Sequence, residues 1–117
     1  MAALTQIPWW RRILPIFGWR IVGSVDAADE IPQQLPRNGA ILVGTRKRPK
    51  WIVFDCPCRT GHRIMLNTDR SRWPCWKVTT KGSLTISPSV DYDSGDRNCH
   101  YFIRKGRTIW AYERAHR

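Results

Sequence analysis

Apolar positions along this chain fall into short runs broken by turn-forming residues, not into helical stripes. WRIVGSV, residues 19–25, precedes the proline-punctuated stretch DAADEIPQQLPRNG. GAILVGT, WIVFDC, RIMLN, WPCWKVT, SLTIS, HYFIR and TIWAYE then follow in order. Runs of this length, rich in β-branched and aromatic residues and bounded by Gly, Pro, Asn and Asp, are strand signals. Lys81-Gly82 reads as a tight turn between two such runs, and Lys105-Gly106-Arg107 separates the last two. DAADE reads as a short helical turn, and DYDSGDRN as an acidic loop. The pattern predicts about seven strands and little helix. The expected fold is mainly β, with a small α+β arrangement as the alternative: a compact, antiparallel, strand-rich single domain.

The first 18 residues break the pattern. Trp9, Ile13, Ile16 and Phe17 have helix-like spacing opposite Arg11 and Arg12, but Pro15 limits any helix. We read residues 1–18 as a Trp/Arg-rich arm and 19–117 as the β domain. Such an arm can lie on a membrane surface, dock a partner or cover its own thin core. Arg11, Arg12, Pro15 and Arg20 interrupt the apolar run that a secretory signal or a transmembrane helix needs. The expectation is a cytoplasmic protein without a transmembrane segment, its thiols kept reduced.

Charge adds a partner class. The net charge is +11 over 117 residues. Residues 40–81 hold ten Lys/Arg against Asp55 and Asp69, whereas the first 39 residues are nearly balanced. Arg46, Lys47, Arg48, Lys50 and Trp51, then Arg70, Arg72 and Lys77, with Trp73 and Trp76 among them, interleave cations with rings. That combination suits an anionic partner, either nucleic acid or an acidic protein. It is equally compatible with a solvated basic surface.

Candidate chemistry gathers in FDCPCRTGHR, residues 54–63. Cys56, Cys58 and His62 lie within seven positions, in a chain of four cysteines and three histidines. Cys99-His100 opens a later strand. Zinc takes about four Cys and His ligands at tetrahedral geometry, and the two groups can meet at one end of a sheet. Pro57 restricts the backbone between the thiols, and Gly61 permits the turn that returns His62. Neighbours in a strand point to opposite faces, so only one of Cys99 and His100 is expected to join Cys56 and Cys58. The other would pack, hydrogen-bond or face substrate, and His62 competes for the fourth place. Three protein ligands would leave a position for activated water; four would close the shell. Cys75, between Trp73-Pro74 and Trp76, reads as a buried thiol, and His116 as solvated.

The order CPC–GH, IMLN, LTISPSV, then CHYFIRKGRTIW resembles a bacterial zinc-binding domain-of-unknown-function family, over roughly residues 36–112. Many of its members read CPCGCG where this chain has CPCRTGH. Members are often encoded beside ubiquitin-like proteins and their activating and conjugating enzymes. The resemblance implies zinc at Cys56, Cys58 and the Cys99-His100 pair, with His62 by position. It also implies work with a ubiquitin-like protein, and Ser87 to Ser89 match a strand of the family.

Two functions follow as expectations. One is a zinc-stabilised basic module that binds a macromolecular partner. The other is a zinc-dependent peptidase that trims or removes the ubiquitin-like modifier. The chain has no H-E-x-x-H and no H-x-H. For catalysis it offers Asp91, Asp93, Asp96 and Glu30 as acids, and Ser89 as an oxyanion donor.

Overall fold

A computed structural model describes residues 18–115 apart from Thr80, Ser94 and Asp96, with the side chains of 112–115 also left aside. The arm proposed for residues 1–18 lies, but for Gly18, outside the described residues, as does His116.

Among the described residues, eight strands form two four-stranded sheets. The first contains β1 (Arg20–Val25), β2 (Gly39–Gly44), β3 (Pro49–Asp55) and β4 (Arg63–Asn67), side by side in chain order. The second contains β5 (Lys77–Val78), β6 (Ile86–Asp93), β7 (Arg97–Arg104) and β8 (Arg107–Ala115). All neighbours are antiparallel except β1 and β2, which run parallel. The long connection between them holds a single 3-10 turn, Ala28–Glu30. No helix among the described residues is long and apolar enough to cross a membrane.

The main core lies between the sheets. Leu42, Ile52, Phe54, Ile64 and Leu66 of the first meet Ile86, Val90, Tyr101 and Ile103 of the second. Each set occupies alternate positions, as one buried face of a strand requires. The two central strands β2 and β3 are covered on both sides, which explains their unbroken apolar runs. Ile41, Val43 and Val53 form a second cluster on the far face with Val25, covered by Ile31 and Leu35 from the long connection. Arg63 fastens that connection, donating to the carbonyls of Pro32 and Gln33 at 2.9 and 2.8 Å while pairing with Asp55 at 3.0 Å.

Trp19 joins the sheets. Its ring meets Phe54 edge-on at 5.2 Å, and its Nε1 donates to Thr108 Oγ1 at 2.8 Å. Its backbone donates to Gly106 O and accepts from Leu84 N. Lys105 and Gly106, with φ of 50° and 81°, make the two-residue turn between β7 and β8. Positive φ at both positions is what a type I′ hairpin needs.

Several predicted elements come out differently. SLTIS is strand only from Ile86, so Lys81-Gly82 sits in the connection between Val78 and Ile86 and not in a tight turn. WPCWKVT yields only the two-residue β5, because Asn67 draws the preceding segment into a loop. Buried Asn67 shares its Nδ2 among the carbonyls of Asp69, Arg72 and Pro74, and its Oδ1 accepts from Asp69 N. Most of the acidic loop DYDSGDRN is strand: Asp91, Tyr92 and Asp93 pair with His100, Cys99 and Asn98. Its charged residues alternate with the inward Val90 and Tyr92, so the run has a strand's period despite its polarity.

Asn67→Ala strips the 68–76 loop of these bonds and leaves buried polar groups unsatisfied. A loss of about 2 kcal/mol is expected, read as a lower urea midpoint at unchanged slope. A shift below about 0.5 kcal/mol would mean that the loop does not depend on Asn67.

Candidate functional site

Two clusters stand on either side of β7, and strand alternation separates them. Cys99 points into the core and is fully buried; His100 points to the outer face.

On the inner side, Cys56, Cys58, His62 and Cys99 bring four ligand atoms within 4.8 Å of one another. Three come from the connection between β3 and β4. Its form is fixed by Cys56 N donating to His62 O at 2.9 Å and Arg59 N to Cys56 O at 3.0 Å. Gly61 turns the chain at φ 95°, which returns His62 to the cysteines. Its Nδ1 faces Cys58 Sγ at 3.3 Å, and its Nε2 lies 3.3 Å from Thr60 Oγ1. With Nδ1 bound to a metal, Nε2 would carry the proton and could donate it to the Thr60 hydroxyl. The fourth residue, Cys99, comes from the second sheet, so the cluster draws on both sheets.

The donor set fits a metal ion. Three sulfurs and one imidazole nitrogen are a tetrahedral zinc-type set, with ligand–ligand spacings of about 3.8 Å for metal–sulfur bonds near 2.3 Å. Tyr101 supplies an independent sign: its buried hydroxyl has no partner at hydrogen-bond geometry, yet lies close enough to act on the Cys56 thiol. Were Cys56 to bind a metal as a thiolate, its sulfur would be a strong acceptor for that hydroxyl. Burial pushes the thiols of Cys56 and Cys99 up, and adjacent sulfurs push Cys99 further. Burial acts the same way on Cys58, but hydrogen bonds from Thr60, Cys56 and Cys99 outweigh it and hold that thiol below its ordinary value. Burial, then the nearby cysteines, also raise Tyr101. Thiols that resist ionising in the bare protein are what a cation would ionise.

On the outer side, His100 Nε2 lies 2.9 Å from Ser89 Oγ. Both residues sit at irregular points of the sheet. Ile86 pairs with Ile103 and Val90 with Tyr101, so Ser87, Pro88 and Ser89 stand against the single residue Phe102. A second register shift falls between His100 and Tyr101 where β7 meets β8. Bulges of this kind re-aim side chains and are frequent next to active sites. Trp76 Nε1 donates to the Ser89 carbonyl at 3.2 Å and steadies the bulged segment. The ring of Phe102 lies 6.0 Å from that of His100. Asp91 is the cross-strand partner of His100, a placement that sets Cβ atoms roughly 5 Å apart. Its carboxylate accepts from Asn98 Nδ2 at 3.0 Å.

Of the five expected metal ligands, the structure gathers Cys56, Cys58, His62 and Cys99 and sets His100 apart with Ser89. Cys75 is half-buried and stands outside the cluster. Six residues of the expected basic surface, Arg46, Lys47, Arg48, Lys50, Arg70 and Lys77, line one cleft. Arg72 is exposed on the loop that walls it. Trp51 instead packs on the outer apolar cluster of the first sheet. Sequence reasoning set Ser89 aside as an oxyanion donor and missed its pairing with His100. The usable signal was the adjacency of Cys99 and His100, which frees one of them for the opposite face.

The family model for "Bacterial ubiquitination-like system serine protease (BubE)" matches residues 27–111, and the chain belongs to that family. No curated protein and no solved structure matches the chain.

Proposed function

We propose that this BubE-family chain is a serine peptidase that trims or removes a ubiquitin-like protein, with Ser89 as nucleophile and His100 as general base. The contact that carries this reading is Ser89 Oγ to His100 Nε2 at 2.9 Å, within reach for proton transfer. The family's description supports it independently. His100 takes the hydroxyl proton as Ser89 Oγ attacks the scissile carbonyl. The resulting imidazolium then protonates the leaving amine. Water, activated by the same imidazole, releases the acyl group and restores the serine. Asp91 places a negative charge on the face where that imidazolium forms. It is the candidate positioning group, paired with His100 across the strands.

Cys56, Cys58, His62 and Cys99 would hold a zinc ion, whose chemistry here is cross-linking the sheets. Four protein ligands complete a tetrahedral shell and leave no place for an activated water. The metal is therefore assigned to the scaffold, and peptide cleavage to Ser89. Four free cysteines agree with a reducing, cytoplasmic setting.

The test is hydrolysis of a ubiquitin-like protein carrying a C-terminal extension. Turnover by the wild-type chain is expected to stop after treatment with a fluorophosphonate. Turnover that survives the reagent undiminished would contradict the serine reading.

A further inference from the structure

A cleft of about 840 Å³ opens between the turn joining β2 to β3 and the loop joining β4 to β5. Arg46, Lys47 and Arg48 come from the turn, Arg70 from the loop, and Lys50 and Lys77 from the adjoining strands; Asp69 is the lining carboxylate. Six cations around one concavity repel each other and focus a positive potential into it. Such an arrangement lowers stability, so the scaffold must hold it in place. Asn67 does so through the bonds described above. Further ties run from Thr68 N to Lys50 O at 2.9 Å and from Trp76 N to Asn67 O at 2.8 Å. Thr45 Oγ1 caps the opposite wall by accepting from Arg48 N at 3.0 Å. Trp73, 87% exposed, stands on the rim.

One end of the cleft reaches the strand that carries Ser89. Ser87, two residues upstream, is part of the lining and pairs with Lys77. Trp76, another lining residue, holds the Ser89 carbonyl. We infer that this cleft is a substrate-binding groove for an acidic polypeptide segment, whose chain continues toward the bond cut at Ser89. The inference rests on the serine reading for that direction and for the choice of a polypeptide occupant; the basic cleft itself stands apart from it. Cations and rings alone would suit either polymer; continuity with a peptide-cleaving residue favours polypeptide, since a nucleic acid there would reach no reaction that acts on it.

The probes are a fluorescein-labelled Glu decapeptide and a fluorescein-labelled dT decamer of similar charge, with fluorescence anisotropy read on the full chain. The Glu peptide is expected to bind more tightly than the dT decamer. Its affinity should fall as salt rises from about 0.05 to 0.3 M, which shortens the screening length roughly twofold. Lys50→Glu/Arg70→Glu is expected to weaken it by about tenfold or more, because two favourable charges become repulsive. Arg46→Glu/Arg48→Glu on the other wall should do the same, with circular dichroism confirming that both variants fold. Tighter binding of dT, affinity indifferent to salt, or folded variants that bind like wild type would each overturn the groove. Fluorophosphonate labelling of the wild-type chain reads Ser89 separately. Peptide binding without labelling would sink the serine reading alone, and labelling without peptide binding the groove alone.

Discussion

Ser89→Ala is expected to lower the rate of cleavage of a ubiquitin-like fusion by about 10³-fold or more, on the order of 4 kcal/mol of transition-state stabilisation. His100→Ala should lose a comparable factor. The double variant should be little worse than either single one, because nucleophile and base act as a unit. None of these losses should come from unfolding. Ser89 and His100 are only partly buried, so the thermal midpoints should stay close to wild type. A Ser89→Ala protein that keeps more than about a tenth of the rate would remove Ser89 from the mechanism. Turnover in that variant that disappears with a chelator while the fold persists would move the chemistry to the metal.

The second large effect concerns stability. Cys56 directly follows β3 of the first sheet and Cys99 lies in β7 of the second, and burial disfavours ionisation of both thiols. Binding of a structural zinc is worth about 10–16 kcal/mol in small domains, against a total stability of about 5–15 kcal/mol. Metal binding is therefore expected to decide whether the sheets stay joined. Cys56→Ser and Cys99→Ser should each lose the bound metal and the cooperative thermal transition, and chelation should do the same to wild type. Cys75→Ser, outside the cluster, should retain one metal per chain and a near wild-type midpoint. Because Cys99 and His100 are neighbours on β7, loss of the metal should also disable cleavage, by undoing the strand that presents the base. Full stability and metal content in Cys56→Ser would show that Cys56 does not hold the metal and that the cluster does not join the sheets through it.

Much of this architecture was legible in the sequence, for local reasons. β2 and β3 read as strands because Ile41, Leu42, Val43, Ile52, Val53 and Phe54 are apolar on both faces. The break between β7 and β8 was legible because Lys105-Gly106-Arg107 interrupts two apolar runs. Cys56, Cys58 and His62 read as one group because a single short connection carries all three. The choice between Cys99 and His100 was different, since it depends on which face of β7 meets the core. Alternation required a choice without making it. Asp91 and Asp93 suggested a loop because their charge masked the period-two pattern around Tyr92. Ser89 was the least legible. Its meeting with His100 depends on a surplus of two residues in β6 relative to β7, and register across a hairpin is not written in composition. The basic positions were visible one by one. Their convergence on one cleft depends on the loop that Asn67 holds, while the same fold turns Trp51 to the outer apolar cluster.

The most direct test of the central claim is the site of covalent modification. Wild-type protein treated with a fluorophosphonate and mapped by tandem mass spectrometry should carry one adduct, on Ser89, and His100→Ala should carry it far more slowly. An unmodified chain, or an adduct on another residue with Ser89 untouched, would contradict the account.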